Sequence, residues 1–228
     1  MSKASQKAYD EVRRRILSGD FPEGSHLKEE ELADICGVSR TPIRDALRKL
    51  AADYYVRIVP NHGTFVSRWS GEEISDIFVL RAMLEGYAAR LAARRAKNQE
   101  LAEMQSACEQ IDVLLGKPNT FDKEGFFAAN KRYHMALRAA AGSDRLASTL
   151  TRLVEQPVVM RTVISYAMED FIRSNAHHWE ILEALREGDG AWAEAAMRGH
   201  IHAAYHVYRR AYGLSDHSEQ AAKDILTL

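Results

Sequence analysis

The sequence predicts a mainly α protein in two parts: three short helices closed by a β-hairpin, then an all-α bundle of six helices. Three observations predict it. Apolar residues recur at helical spacing through most of the chain. One short β-branched stretch flanks a Pro60-Asn61-His62-Gly63 turn. Breaks rich in glycine or proline divide the region after residue 71 into helix-length segments. A hydrophobic content of 46% with 28% charged residues suits a chain that buries a real core, and 228 residues are enough for two modest domains.

Taken in order, residues 5–18 read as a helix with Tyr9, Val12, Ile16 and Leu17 on one face and Gly19-Asp20 at its end. Phe21-Pro22-Glu23-Gly24 follows as a turn. A short helix from Lys28 to Cys36 turns Leu32 and Ile35 inward and stops at Gly37. Ser39 is placed to cap a third helix running to Asp53, with Pro42 in the first turn, where a missing N–H costs little. Residues 55–59 and 64–66 form the hairpin. Three helices and a hairpin within 1–70 are the outline of a winged helix-turn-helix. Helices are expected over 71–97, 99–115, 121–141, 144–166, 169–187 and 190–213, the fourth kinked at Pro157. This second domain spans 71–215, and 216–228 reads as a polar tail.

Composition excludes several classes. No apolar run reaches about 18 residues, so no membrane span is expected. Met1–Gln6 lacks the apolar stretch of a secretory signal. Cys36 and Cys108 make no metal or redox pattern and read as reduced thiols, which points to the cytoplasm. Charge is nearly balanced: +2 over residues 1–70 and −3 beyond, together the −1 of the whole chain. Only the positions of the charges can therefore speak for nucleic acid.

Those positions are informative on the third helix. Arg40, Arg44 and Arg48 stand at i, i+4 and i+8, a stripe about 12 Å long, beside an apolar stripe of Ile43, Ala46, Leu47 and Leu50. Arginine matches guanine edges and phosphates, so the helix suits a major groove; a merely solvated basic face is the alternative. The strings Leu27-Lys28-Glu29-Glu30-Glu31-Leu32-Ala33 and Gly37-Val38-Ser39-Arg40-Thr41-Pro42-Ile43-Arg44-Asp45-Ala46-Leu47 strongly resemble the signature of the GntR family of transcription regulators. Gly19–Gly24 matches the turn before it, and Asn61–Val66 resembles its wing. The resemblance implies base or phosphate contacts for Arg40 and Arg44 and a backbone contact for Thr41. It also implies a phosphate contact for Arg48 and a minor-groove approach by Gly63 with His62 beside it. Three residues depart from the pattern: Glu30 where many members carry a basic residue, Tyr54 where a glycine often ends the helix, and His62 for a common arginine.

In the second domain, His134, His178 and His200 fall on apolar helix faces. His178 and His200 are about equally far from the Gly188-Asp189-Gly190 turn, roughly 15 Å along their helices. An antiparallel hairpin therefore sets them opposite each other. A third helix bringing Asn130 and His134 to that level completes a site with three imidazoles and one oxygen, suited to zinc, nickel or manganese. The alternative is a set of satisfied core histidines. His202 and His206 share a face with Arg198 and Arg209 and read as exposed. Asn130–His134, the His178–Leu185 string, Gly188-Asp189 and Ala195–Ile201 are similar to the FCD effector domain of the FadR subfamily, in its six-helix VanR-like branch. Metal-binding members hold the ion with an aspartate and three histidines, which match Asn130, His134, His178 and His200. The amide in place of the acid implies weaker binding. The family's effectors are mostly small organic acids. Arg81 and Arg161 are candidates to pair with the carboxylate, and Glu85 is an obvious internal partner for Arg81.

Together these imply a cytoplasmic homodimeric regulator, of repressor type, that reads a pseudo-palindromic double-stranded operator under control of a metal-held carboxylate. Two alternatives stay open: the same regulator with the histidines binding the acid directly, and a zinc hydrolase. Against the latter, the sequence has no His-Glu-x-x-His arrangement to supply a general base.

Overall fold

The computed structural model describes residues 1–154 and 157–213. They form two compact units, divided at Ser70 and Gly71, except that a later stretch ending at Arg161 groups with the first unit. The polar tail expected over 216–228 lies outside the described residues.

The first unit opens with α1 (Lys3–Ser18), whose N-cap Ser2 hydroxyl accepts from the Ser5 amide and whose end is Gly19 at φ +86°. Ala8, Tyr9, Val12 and Ile16 are its buried stripe. A two-residue strand, β1 (His26–Leu27), adds to the elements that periodicity predicts. Then come α2 (Glu29–Cys36) and α3 (Arg40–Ala52). On α2, Leu32 and Cys36 are buried, whereas Ile35 is 40% exposed, correcting its expected inward position. Ser39 does stand at the N-cap of α3, but its side chain makes no capping bond. The hairpin is β2 (Val56–Val59) and β3 (Gly63–Val66), in the order β1-β3-β2 and antiparallel throughout, with Val59 opposite Gly63 and Val56 opposite Val66. Ile16, Leu32, Ile43, Leu50 and Tyr55 lie at the centre of one core. Polar links reinforce it: the Tyr9 hydroxyl donates to Asp53 at 2.7 Å, and Arg13 Nε donates to the Tyr55 hydroxyl at 2.8 Å.

The second unit contains α4 (Gly71–Arg95), α5 (Asn98–Leu115), α6 (Lys123–Ala140), α7 (Asp144–Val154), α8 (Pro157–Ile164), α9 (Met168–Arg186) and α10 (Gly190–Tyr212). The first residues of α8 belong to the other unit. Of the helix expected over 144–166, the described residues form α7 and α8 on either side of the position beside Pro157 where the kink is expected. Residues 155 and 156 lie outside the described residues. Helix α10 packs along α4 and against α9, and α5 packs on α6. Gly86 permits the close α4–α10 approach, because a Cβ there would stand 2.9 Å from Arg198 Cγ. A second cluster joins Ile111, Phe126, Ala129, Tyr166, Phe171 and Val207, with the Phe126 and Phe171 rings edge to face at 4.6 Å.

Candidate functional site

Two sites emerge, one in each unit. On α3 the side chains expected to meet DNA all face solvent: Arg40, Thr41, Arg44 and Arg48 are exposed, while Ile43, Ala46, Leu47 and Leu50 are buried. The N-terminus of α2 then supplies a partner that periodicity could not reveal. The Glu29 carboxylate accepts from Arg44 Nε at 2.8 Å and from Arg40 Nη2 at 3.2 Å, and Glu30 accepts from Arg40 Nη1 at 3.1 Å. Partial burial pushes the Glu29 carboxyl up, but hydrogen bonds from Arg44 and Arg40 outweigh it and hold the group below its usual range. Arg48 carries no ion pair among the described residues.

At the hairpin tip His62 and Gly63 are exposed. Asn61 has φ +63° and Gly63 φ +103°; asparagine tolerates the first, and the second calls for glycine. A side chain at 63 would also collide with the His26 imidazole, so this glycine lets β1 approach the wing. Tyr54, at the end of α3, takes φ +62°, the left-handed geometry that explains why a glycine suits that position.

In the second unit α6 carries His134, α9 carries His178 and α10 carries His200. One ligand nitrogen from each lies within 4.8 Å of the other two. Ring centroids are 4.8 Å apart for His178 and His200 and 5.2 Å for each of them to His134. His178 is 0% exposed and His200 4%. Neither His178 Nδ1 nor Nε2 has a hydrogen-bond partner, and neither does His200 Nδ1. Leaving buried polar atoms unpaired costs about 1–3 kcal/mol each, so the trio is poorly explained as core packing alone. Burial, followed by the mutual repulsion of the imidazoles, pushes both His178 and His200 well below the ordinary histidine range. They are therefore neutral at pH 7, the form that ligates a metal. Asn130 lies one turn before His134, partly buried, and its side chain makes no hydrogen bond among the described residues.

Three neighbours join this site that the sequence pattern does not mark as part of it. Glu85 of α4 has Oε2 3.4 Å from His134 Nδ1, while its Oε1 accepts from Arg81 Nε at 2.8 Å. Burial favours the neutral acid, but the Arg81 charge and then the His134 contact hold Glu85 well below the carboxylate range. An ionised Glu85 favours a proton on Nδ1 of His134 and leaves Nε2 for a ligand. Tyr133 stacks on His178 at 4.1 Å, and its hydroxyl donates to the His178 carbonyl at 2.8 Å. His177 has its ring 5.8 Å from that of His200 and a buried, unpartnered Nδ1. Beside His200 and His177 lies a cavity of about 10 Å³, lined also by Tyr166, Asp170, Arg173 and Ser174. Tyr133 falls in the apolar stripe of α6 with Phe126, Ala129, Leu137 and Ala140, a signal for burial that does not point to the histidines.

Of the other expected residues, Arg81 is buried and engaged by Glu85, as the internal alternative had it. Arg161 groups with the first unit, where its guanidinium pairs with Glu23 and lies 3.4 Å from the Ile16 carbonyl. His202 is half-buried and His206 exposed, and neither belongs to the metal-competent trio.

Comparison with known proteins agrees with both sites' contexts. Residues 4–66 match the family model for bacterial regulatory proteins of the gntR family, and residues 76–203 match that of the FCD domain. The "Probable D-xylose utilization operon transcriptional repressor" of Paenarthrobacter nicotinovorans is 30% identical over 199 residues, 86% of this chain and 84% of that protein. The HTH-type transcriptional repressor RspR of Escherichia coli K12 is 26% identical over 201 residues, 86% of this chain and 85% of the other. Among solved structures, E. coli McbR/YncC superposes with a TM-score of 0.73 at 20% identity, covering 93% of this chain and 100% of that one. A GntR transcriptional regulator from Rhodococcus sp. RHA1 gives 0.67 at 22%, covering 92% and 100%. At those identities the structural likeness speaks for the fold.

Proposed function

The chain belongs to the GntR family of bacterial regulatory proteins and carries an FCD domain, and on that premise we propose a DNA-binding repressor whose operator affinity is set by a small carboxylate bound at a metal ion in the second unit. That it is a transcription regulator and not an enzyme follows from its relatives and fold. The metal and the effector are our reading. No helix among the described residues is long and apolar enough to cross a membrane, and we place the protein in the cytoplasm with its DNA.

In this reading Arg40 and Arg44 take base edges or phosphates, Arg48 and Thr41 take backbone, and Gly63 with His62 brings the wing to the minor groove. Binding to DNA exchanges the Glu29 and Glu30 carboxylates for phosphate or guanine partners. A two-fold dimer reads two half-sites whose spacing the protein sets.

One observation carries the metal: His178, wholly buried, has both ring nitrogens unpartnered beside two more imidazoles. His134, His178 and His200 would hold the ion, with Asn130 offering an amide oxygen. A bound zinc, nickel or manganese ion supplies a positive charge with open positions, to which a carboxylate can bind. Arg81, shared with Glu85, is one expected cation for the carboxylate, and Arg161, the other, is paired with Glu23. The cavity of about 10 Å³ beside His200 has room for about one water and is too small for an organic acid. Effector entry therefore requires side chains of α9 and α10 to move, which gives the ligand two states to discriminate.

Elemental analysis before and after chelation, followed by thermal-shift screening of small carboxylic acids with and without added zinc or nickel, tests this. Metal near one equivalent and metal-dependent stabilisation by an acid are expected. Stabilisation by an acid with no metal present would instead favour direct recognition by the histidines. Failure to bind any promoter DNA at low salt, with Arg44→Ala behaving like wild type, would overturn the DNA-reading assignment.

A further inference from the structure

Helix α4 presents an outward face that is apolar at its centre and oppositely charged at its two ends. Leu80, Met83 and Tyr87 are 47%, 47% and 50% exposed. At 100° per residue these three fall in one sector roughly 100° wide, together with Glu72 and Asp76 toward the N-terminus and Arg90 and Arg94 toward the C-terminus. Glu72, Asp76 and Arg94 are exposed and carry no ion pair among the described residues. Arg90 is half exposed and holds Glu194 at 3.1 Å.

We propose that this face of α4 is the seam of a two-fold dimer, with a second copy of the chain laid antiparallel across it. The proposal rests on the dimeric reading of the regulator and names the surface that makes it. About an axis between Met83 and Leu84, Leu80 meets the partner's Tyr87 and Met83 meets the partner's Leu84. Glu72 stands within one residue of the partner's Arg94, and Asp76 falls between the partner's Arg90 and Arg94. A single arrangement therefore satisfies the apolar centre and both charged ends to within about a residue. A parallel pairing would set Asp76 on the partner's Asp76 and Arg94 on the partner's Arg94. Isologous contact needs one self-complementary patch, and helix dipoles also favour the antiparallel sense. Among the described residues of the second unit, Val113, Met135 and Ile172 are exposed on other helices, each as a single large apolar side chain of its helix.

The test uses the full chain and two charge-swapped variants, Glu72→Arg/Asp76→Arg and Arg94→Glu, with dimer dissociation followed by sedimentation and folding checked by circular dichroism. Each variant alone brings like charges together at both ends of the seam and should weaken its homodimer about tenfold or more. Mixing the two restores opposite charges at both ends, so the mixture should recover wild-type dimerisation. Met83→Lys, at the centre, should weaken the dimer whichever variant it is paired with. If the wild type is dimeric and none of these changes matters, the seam lies elsewhere and the proposal fails while the dimeric reading stands. A wild type that stays monomeric at the concentrations used for operator binding would overturn both.

Discussion

Tyr54 sits in the left-handed region at φ +62°, a conformation that costs an L residue about 1–2 kcal/mol. The residue is 53% exposed, and its ring lies 6.3 Å from that of Trp69 between centroids. Tyr54→Gly removes that strain and costs about 0.5–1 kcal/mol in chain entropy, so a melting temperature slightly above wild type is expected; a clear drop would mean that the Trp69 contact outweighs the strain. Glu11 makes a contrasting case. Hydrogen bonds from Arg14 and then Arg15 lower its pKa to about 2 from an ordinary 4.5. A carboxylate depressed in the folded state contributes stability above pH 4.5 and loses it as pH falls toward 2. Melting curves of wild type and Glu11→Gln should therefore differ at neutral pH and converge in that window. The effect should be small, since the group is a surface one. At the histidines, Glu85→Gln should cut metal affinity about 10–100-fold by loosening the orientation of His134, and Asn130→Asp should raise it by restoring a charged oxygen. Titration calorimetry with zinc reads both.

At the scale of elements, the proposed function makes the opposition of α2 and α3 a control on how strongly the protein would hold DNA. Glu29 and Glu30 pair with the arginines proposed to reach the duplex, so in that reading each phosphate contact by Arg40 or Arg44 would be made against an existing ion pair. Glu30 is 77% exposed at its side chain and so contributes little to folding. Glu30→Arg should tighten operator binding and steepen the fall of log K with log salt by about 0.9 for each additional phosphate neutralised. An unchanged slope in a salt titration would place residue 30 off the DNA. Arg44→Ala should cost about 1–3 kcal/mol on the cognate site. The strand β1 belongs to this scale as well. Two residues are too short to leave a periodic trace, and its existence depends on Gly63 accepting the His26 side chain beside it.

For the molecule as a whole, four helices of the second unit converge on one buried point: α4 through Glu85, α6 through His134, α9 through His178 and α10 through His200. The proposed ion would tie them together there, and binding that favours the folded state raises stability by mass action. Chelation should lower the melting transition of the second unit and His178→Ala should abolish that shift, whereas the first unit should melt as before. Differential scanning calorimetry separates the two if they unfold independently. A chelator that moves neither transition would leave the histidines without a metal.

By itself the sequence determined most of the helices and the hairpin, the arginine stripe and the three inward histidines. These are repeats within a single helix, where a period of 3.6 residues ties each side chain to a face regardless of what packs on it. It even set His178 against His200, because two helices joined by a short turn share one register. Tertiary structure alone decided which groups meet those side chains: Glu29 and Glu30 on Arg40 and Arg44, Glu85 on His134, Tyr133 on His178, and Glu23 on Arg161. Each of those contacts joins residues from different elements or depends on the rotamer that packing selects, and no local period encodes either. Ile35 shows the same division from the other side: its spacing placed it inward, and packing buried Cys36 in its stead.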